Sequence, residues 1–252
     1  MASFLPILTF HALDDRPSVI SFSPRVFRRG MARLHENGYQ TLSLLEAVDF
    51  VHQGKPFPDR SFVITFDDGY PTVFDEAFPV LQQYGMAATV FLTVGANRPN
   101  PDDRLPTLQG RSMLSWREIR EMRSYGIDFG AHTLTHPDLT RLSFRQAEIE
   151  VYESKAIIEH ALNVPVTSFA YPFGRYDDQS REIAEKHFAC ACSDRLGLVR
   201  TGSDLYTLER VEAYYLRSDW LFDMMLTGLF PWYIRTINIP RRLRLALKLG
   251  TT

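Results

Sequence analysis

The sequence predicts a single α/β domain built on a mostly parallel sheet, and three observations carry that expectation. Strand-like and helix-like segments alternate along the chain, as in folds whose helices cover a parallel sheet. Seven segments read as strands, which suits one open or closed barrel better than two domains. A chain of 252 residues with 45% hydrophobic content can also bury one sizeable core, and no internal repeat or low-complexity linker divides it.

The first strand is expected over FLPILTF (4–10). Ser23 then offers an N-cap and Pro24 a first helical residue. Phe27, Met31 and Leu34 follow at helical spacing, and Gly38 stops the helix. SFVITF (61–66) reads as a buried strand, VFDEAFPVLQQYG as the helix after it, and AATVFLTV (87–94) as the next strand. The long loop GANRPNPDDRLPTLQG (95–110) reads as a rim or lid. Ser115 and Glu118 form a capping box on a helix closed by Gly126, and IDFGA (127–131) is a short strand. Ser143 and Gln146 open a second box on a long helix that runs toward His160. VTSFAY (166–171) and FACACS (188–193) are strands separated by the helical SREIAEKH, and YTLERVEAY (206–214) is the last strand.

Composition excludes some classes. The formal net charge of −2 gives no basic field for nucleic acid. The only cysteines, Cys190 and Cys192, lie too close along one strand for an easy disulfide and read as small apolar core residues. The N-terminus shows no basic segment followed by an apolar one, so the chain as written reads as cytoplasmic. No apolar run approaches the roughly 20 residues that span a bilayer. From Met224 onward there are five basic residues (Arg235, Arg241, Arg242, Arg244 and Lys248) and no acidic ones, mixed with Trp232 and Tyr233. Residues 219–252 are therefore expected to form a basic helical extension. It suits peripheral contact with an anionic membrane or a polysaccharide-synthesis partner, or simple packing on the barrel with a solvated basic face.

Parallel α/β folds place their chemistry at the carboxyl ends of strands. His11, Asp67, Asp68, His132, His136 and the Pro172-Phe173-Gly174 turn all follow predicted strands. Asp67 and Asp68 repel one another unless something uses them, although Asp-Gly is also ordinary turn chemistry. The four-residue spacing of His132 and His136 brings both imidazoles onto one metal if the segment turns like a helix. Two histidines and one carboxylate leave positions open for water and substrate, as a catalytic site needs. The bland alternative is a helix cap at His136-Pro137 and a satisfied strand-end His132.

TFDDGY, HTLTHPDL and FAYPFG (169–174) together resemble three motifs of the polysaccharide deacetylase family, that is, carbohydrate esterase family 4 or the NodB-homology domain. The resemblance runs from about residue 5 to about residue 214. It implies a distorted, incomplete (β/α)7-type barrel as one catalytic domain, 1–218, that removes acetyl groups from N-acetylated saccharides with the help of a divalent metal. Carried over, Asp67 is the catalytic base, and Asp68, His132 and His136 hold the cation: zinc first, with cobalt, nickel or manganese as alternatives. The backbone N–H of Phe173, beside Pro172, becomes the oxyanion donor. Tyr70, Tyr171 and Phe173, with Trp116, are the aromatics that would face a sugar, although rings near barrel strands also suit the core.

Two positions depart from the family pattern. The family supplies a general-acid histidine near the C-terminus, whereas no histidine follows His187 here. LTFHALDD instead resembles a branch whose motif is circularly permuted, as in poly-N-acetylglucosamine deacetylases, so His11 would be the acid, oriented by Asp14 or Asp15. The family also commonly carries an arginine where this chain has Ala170. Arg210 or Arg175 would substitute, with Arg210 equally readable as a rim salt bridge or a substrate contact. Three rival readings stand beside this one: an iron-dependent oxygenase with a two-histidine, one-carboxylate triad, a hydrolase of a non-sugar amide, and a non-catalytic carbohydrate-binding relative.

Overall fold

The computed structural model describes residues 1–95 and 103–238. Ten strands form among the described residues: β1 (Ile7–Phe10), β2 (Ala12–Leu13), β3 (Ser21–Phe22), β4 (Gln40–Thr41), β5 (Ser61–Phe66), β6 (Thr89–Leu92), β7 (Asp128–Ala131), β8 (Ser168–Ala170), β9 (Cys190–Leu196) and β10 (Leu208–Glu212). The helices are α1 (Pro24–Glu36), α2 (Leu44–His52), α3 (Phe78–Tyr84), α4 (Trp116–Ser124), α5 (Phe144–Leu162), α6 (Asp178–His187) and α7 (Asp219–Asp223).

Seven strands, all parallel, close into a ring in the order β1, β5, β6, β7, β8, β9, β10 and back to β1. β4 adds an eighth strand against the first half of β5, and β2 pairs with β3 outside the ring. The ring is distorted, as the resemblance implies. β7 and β8 share only the Ala131–Phe169 pair, and the register of β9 against β10 shifts between Leu208 and Arg210. All seven expected strands form, and only β9 runs on past its expected end.

Side chains alternate across each ring strand. Leu8 and Phe10 of β1, Phe62, Ile64 and Phe66 of β5 and Phe169 of β8 join the larger core cluster with α1, α3, α4 and α5. The alternate positions, Ile7, Val63, Phe91, Ala170, Cys190, Cys192 and Leu208, meet one another inside the ring together with residues of α2. Both cysteines are buried and free, and burial, with Asp67 nearby and against the pull of Arg210, pushes the Cys192 thiol up to about 12. They fill core space. One layer closer to the carboxyl ends, the interior turns polar: Thr9 and Thr65 hydroxyls meet at 3.0 Å. A step further lie Asp67 and Arg210.

The helix boundaries hold, although Ser23 stands at the N-cap of α1 without a side-chain capping bond. The Ser115–Glu118 box is complete, and the Gln146 carbonyl accepts from both the backbone and hydroxyl of Ser143. α2 was not anticipated, yet it opens on a complete box between Ser43 and Glu46, a signal of the same form. β4 is two residues long and offers no period to read. Of the loop at 95–110, residues 96–102 lie outside the described residues, as does the basic stretch beyond residue 238.

The chain after β10 packs against the barrel. Phe222, Met225, Phe230 and Ile234 are buried, Arg29 pairs with Asp219 at 2.7 Å, and Tyr39 donates to the Met225 carbonyl at 2.6 Å. A helix running from 230 to 238 thus turns an apolar stripe inward, while Trp220, Leu229 and Trp232 are exposed. The docking point is Gly30 of α1, where an added Cβ would stand 2.7 Å from the Phe222 ring. Alanine there gains up to about 1 kcal/mol of helix propensity but overpacks a buried ring, which costs about 1–3 kcal/mol. Gly30→Ala is therefore expected to lower the melting temperature, and Phe222→Leu in the same chain to restore part of it.

Candidate active site

Every group expected at the strand ends arrives at one mouth of the ring. His11 follows β1, Asp67 and Asp68 follow β5, His132 follows β7, Phe173 follows β8 and Arg210 lies within β10. They line, or lie beneath, one cleft of about 290 Å³, whose walls include His11, Asp68, His136, Phe173, Glu212 and Tyr214.

Asp68, His132 and His136 converge. Asp68 Oδ1 is 3.5 Å from His132 Nε2 and 3.4 Å from His136 Nε2, and one ligand atom from each residue fits within 4.8 Å of the others. The two histidines meet through a tight turn rather than a helix. Thr133 and His136 both adopt left-handed backbone (φ 69° and 60°), and His136 N–H donates to Thr133 Oγ1 at 3.0 Å. Asp68 (φ 72°) and Phe173 (φ 58°) share this conformation. Each such non-glycine residue costs on the order of 1 kcal/mol or more, so strain concentrates at the mouth. Glu150 of α5 holds the turn by accepting from the Leu134 and Thr135 backbones, both at 2.9 Å. Nothing in the sequence pattern separates Glu150 from the other acids of that helix.

This donor set fits a cation. Asp68 Oδ1 is buried and has no hydrogen-bond partner. His132 Nδ1 lies 2.7 Å from the Ala170 carbonyl, which can only accept; Nδ1 therefore carries the proton, and Nε2 points at Asp68. Burial would lower the His132 pKa, but Asp68 and Asp67 beside it hold it above its ordinary value. Burial, with His132 beside it, brings His136 down to about 4, leaving a neutral imidazole.

Asp67 belongs to a different network. Arg210 grips both its oxygens, Nη1 to Oδ1 at 2.8 Å and Nη2 to Oδ2 at 2.7 Å, and Arg210 Nε donates to the Ser193 carbonyl at 2.9 Å. Burial alone would raise the Asp67 carboxyl, but the Arg210 guanidinium, together with His132 and His11, outweighs it and holds the group far below the usual carboxylate range. Of the two arginines weighed as substitutes for the residue missing at Ala170, Arg210 is the one that meets Asp67, and it is 1% exposed. Arg175 instead pairs with Asp138 at 2.8 Å, tying the Phe173 loop to the segment after His136. His11 Nε2 stands 3.9 Å from Asp67 Oδ2 with its side chain 22% exposed to the cleft.

Several expected neighbours lie elsewhere. Asp14 bonds Arg111 at 2.8 Å and the Arg16 backbone at 3.1 Å, and Asp15 is exposed, so neither is paired with His11. Tyr70 (1% exposed), Tyr171 and Trp116 are buried. The Tyr171 hydroxyl donates to the Tyr206 carbonyl, and Arg111 covers the Tyr70 ring at 5.5 Å, so these rings build the walls from behind. Pro172 is likewise buried. Phe173 alone of that group is open to solvent, with its ring centroid 4.6 Å from that of His136 and the planes at 71°. Gly174 next to it lets the turn close, because a Cβ there would fall 2.0 Å from Asp194 Cβ. Glu212 and Tyr214, which line the cleft, were not anticipated.

A sequence model described as polysaccharide deacetylase matches residues 54–188. Bacillus subtilis YxkH, which bears a polysaccharide deacetylase name, is 32% identical over 208 residues, 82% of this chain and 70% of that protein. The poly-beta-1,6-N-acetyl-D-glucosamine N-deacetylase of Escherichia coli (strain K12) is 30% identical over 135 residues, 50% of this chain but only 20% of that protein's length. Among solved structures, Streptococcus pyogenes deacetylase PplD in complex with acetate superposes with a TM-score of 0.75 at 25% identity, covering 84% of this chain and 93% of that one.

Proposed function

The chain belongs to the polysaccharide deacetylase family, and from that premise we propose that it hydrolyses the acetamide C–N bond of N-acetylated amino sugars in a saccharide chain, using a divalent cation, Asp67 as base and His11 as acid. One observation carries the reading. A buried carboxylate oxygen without a partner faces two imidazole Nε2 atoms, while a second carboxylate beside it is held separately by an arginine. Two adjacent aspartates in such different surroundings are suited to different roles.

Asp68, His132 and His136 would hold the cation, and two nitrogens with one oxygen suit zinc. When bound, that ion supplies Lewis-acid polarisation and lowers the pKa of water toward ~7. Asp67, kept ionised by Arg210, accepts a proton from the attacking water as its oxygen adds to the acetyl carbon. The Phe173 N–H is the donor assigned to the carbonyl oxygen as that atom gains charge. His11 gives a proton to the sugar nitrogen as the C–N bond breaks. Acetate and a free amine leave, and Asp67 returns its proton toward His11 across the 3.9 Å between them. A relative named for poly-beta-1,6-N-acetyl-D-glucosamine and a structural neighbour holding acetate support this choice of substrate and product.

Acetate release from β-1,4- and β-1,6-linked N-acetylglucosamine oligomers tests the reading. Release is expected from metal-loaded protein and is expected to disappear on chelation and return on adding zinc. No release from any oligomer, with metal demonstrably bound, would overturn it in favour of a different amide.

A further inference from the structure

The chemistry needs one acetamido group, yet two half-exposed aromatic rings, Tyr214 and Phe173, also line the cleft. Tyr214 follows β10 in the turn Ala213–Leu216, lines the cleft, and is 52% exposed. Its ring is held in place. Arg217 Cζ lies 4.1 Å from the ring centroid, and Arg217 in turn donates to the Ser18 and Val19 carbonyls at 3.4 and 3.5 Å. Tyr215 stands edge-on at 5.5 Å and 87°. With one face covered by a guanidinium, the exposure belongs to the rest of the ring, next to the exposed Val19. Phe173, 50% exposed, lines the same cleft beside His136. The histidines and aspartates of the site sit in the cleft that these two rings share.

We propose that Tyr214 is the platform of a second sugar subsite, which takes the hexopyranose unit adjoining the one that loses its acetyl group. A hexopyranose with equatorial substituents turns its axial C–H groups into a flat apolar face, and a rigid, half-exposed tyrosine offers matching area at small cost in side-chain entropy. Arg217 stacks on one face of the ring, which leaves the other face for a sugar. Tyr214 then decides how much the neighbouring unit adds: a pentamer gains from the ring and the monosaccharide does not. This rests on the deacetylase reading above and deepens it.

The test compares wild type, Tyr214→Ala and Tyr214→Trp on an aryl acetate, on N-acetylglucosamine, and on its β-1,4- and β-1,6-linked pentamers. Loss of one stacking contact of about 1.4 kcal/mol corresponds to a tenfold change. Tyr214→Ala is expected to lower kcat/KM, through KM, about tenfold more on a pentamer than on the aryl acetate or the monosaccharide, and Tyr214→Trp to restore the pentamer. An equal loss on all substrates, or an unchanged pentamer, overturns the subsite. Calorimetric titration with the corresponding glucosamine pentamers, which hold no acetyl group, reads the subsite without turnover: binding weakened by Tyr214→Ala supports it and equal binding overturns it. If wild type binds the pentamers but releases no acetate from their acetylated forms, the deacetylase reading fails while the subsite stands.

Discussion

Asp67→Asn is expected to cut acetate release by about 10³-fold while the chain still binds its metal, because the variant loses the proton acceptor and keeps every cation ligand. The two adjacent aspartates make the test sharp. Asp68 Oδ1 faces His132 and His136, whereas Asp67 gives both oxygens to Arg210. A single added nitrogen therefore separates holding an ion from moving a proton. Asp68→Asn is the contrasting variant and should lose metal and activity together. Metal content by elemental analysis and acetate release by a coupled assay report the two properties independently. Asparagine at 67 still presents one oxygen to the guanidinium, so the fold should survive. Activity within tenfold of wild type in a metal-loaded Asp67→Asn protein would remove Asp67 from the role of base.

Much of this arrangement is legible in the sequence, and the parts that are not have physical causes. The strands that place His11, Asp67, His132 and Phe173 are apolar runs bounded by turn residues, and a parallel ring delivers the residues after each strand to one end. Contacts across the ring are not legible in this way. Arg210 and Asp67 are 143 positions apart and meet because β10 and β5 both flank β1 and turn their side chains into the same interior. Tyr70 and Tyr171 are expected at the sugar because they adjoin motif residues. Tyr171 adjoins Pro172, yet its side chain packs behind the wall, while Tyr214 opens into the cleft from beyond the last strand. Sequence adjacency fixes where the backbone passes; the face a ring takes depends on the neighbouring strand. The His132–His136 spacing suits a helical turn or a loop shaped to the same end, and here a left-handed turn held by Glu150 brings the two rings together.

Arg210→Met should cause the largest loss of stability, and its pH dependence should run against that of the wild type. The pair is almost wholly buried, with side-chain exposures of 1% and 4%, so solvent does little to screen it. Removing one partner of such a pair costs about 3–5 kcal/mol. In the wild type the folded carboxyl lies below its unfolded value of about 3.9. Its contribution is therefore complete above about pH 4 and is lost only as the pH falls through the depressed folded value. In Arg210→Met, burial acts with far less opposition and is expected to raise the folded value above the unfolded one. The ionised carboxylate then costs stability at neutral pH, and that cost diminishes as the pH falls. Between pH 7 and 5 this pair should leave wild-type stability flat, whereas the variant should melt at higher temperature as the medium becomes more acidic. Without the guanidinium, Asp67 is neither held in position nor kept ionised to low pH, so turnover should also fall, and fall further as the medium becomes more acidic. Adding Asp67→Asn to Arg210→Met removes the unpaired charge and should recover part of the lost stability, a coupling that a double-mutant cycle measures. If Arg210→Met instead melts within about 2 °C of wild type at both pH values, the arginine is not what keeps this carboxylate ionised, and the assignment of Asp67 as an Arg210-supported base falls with it.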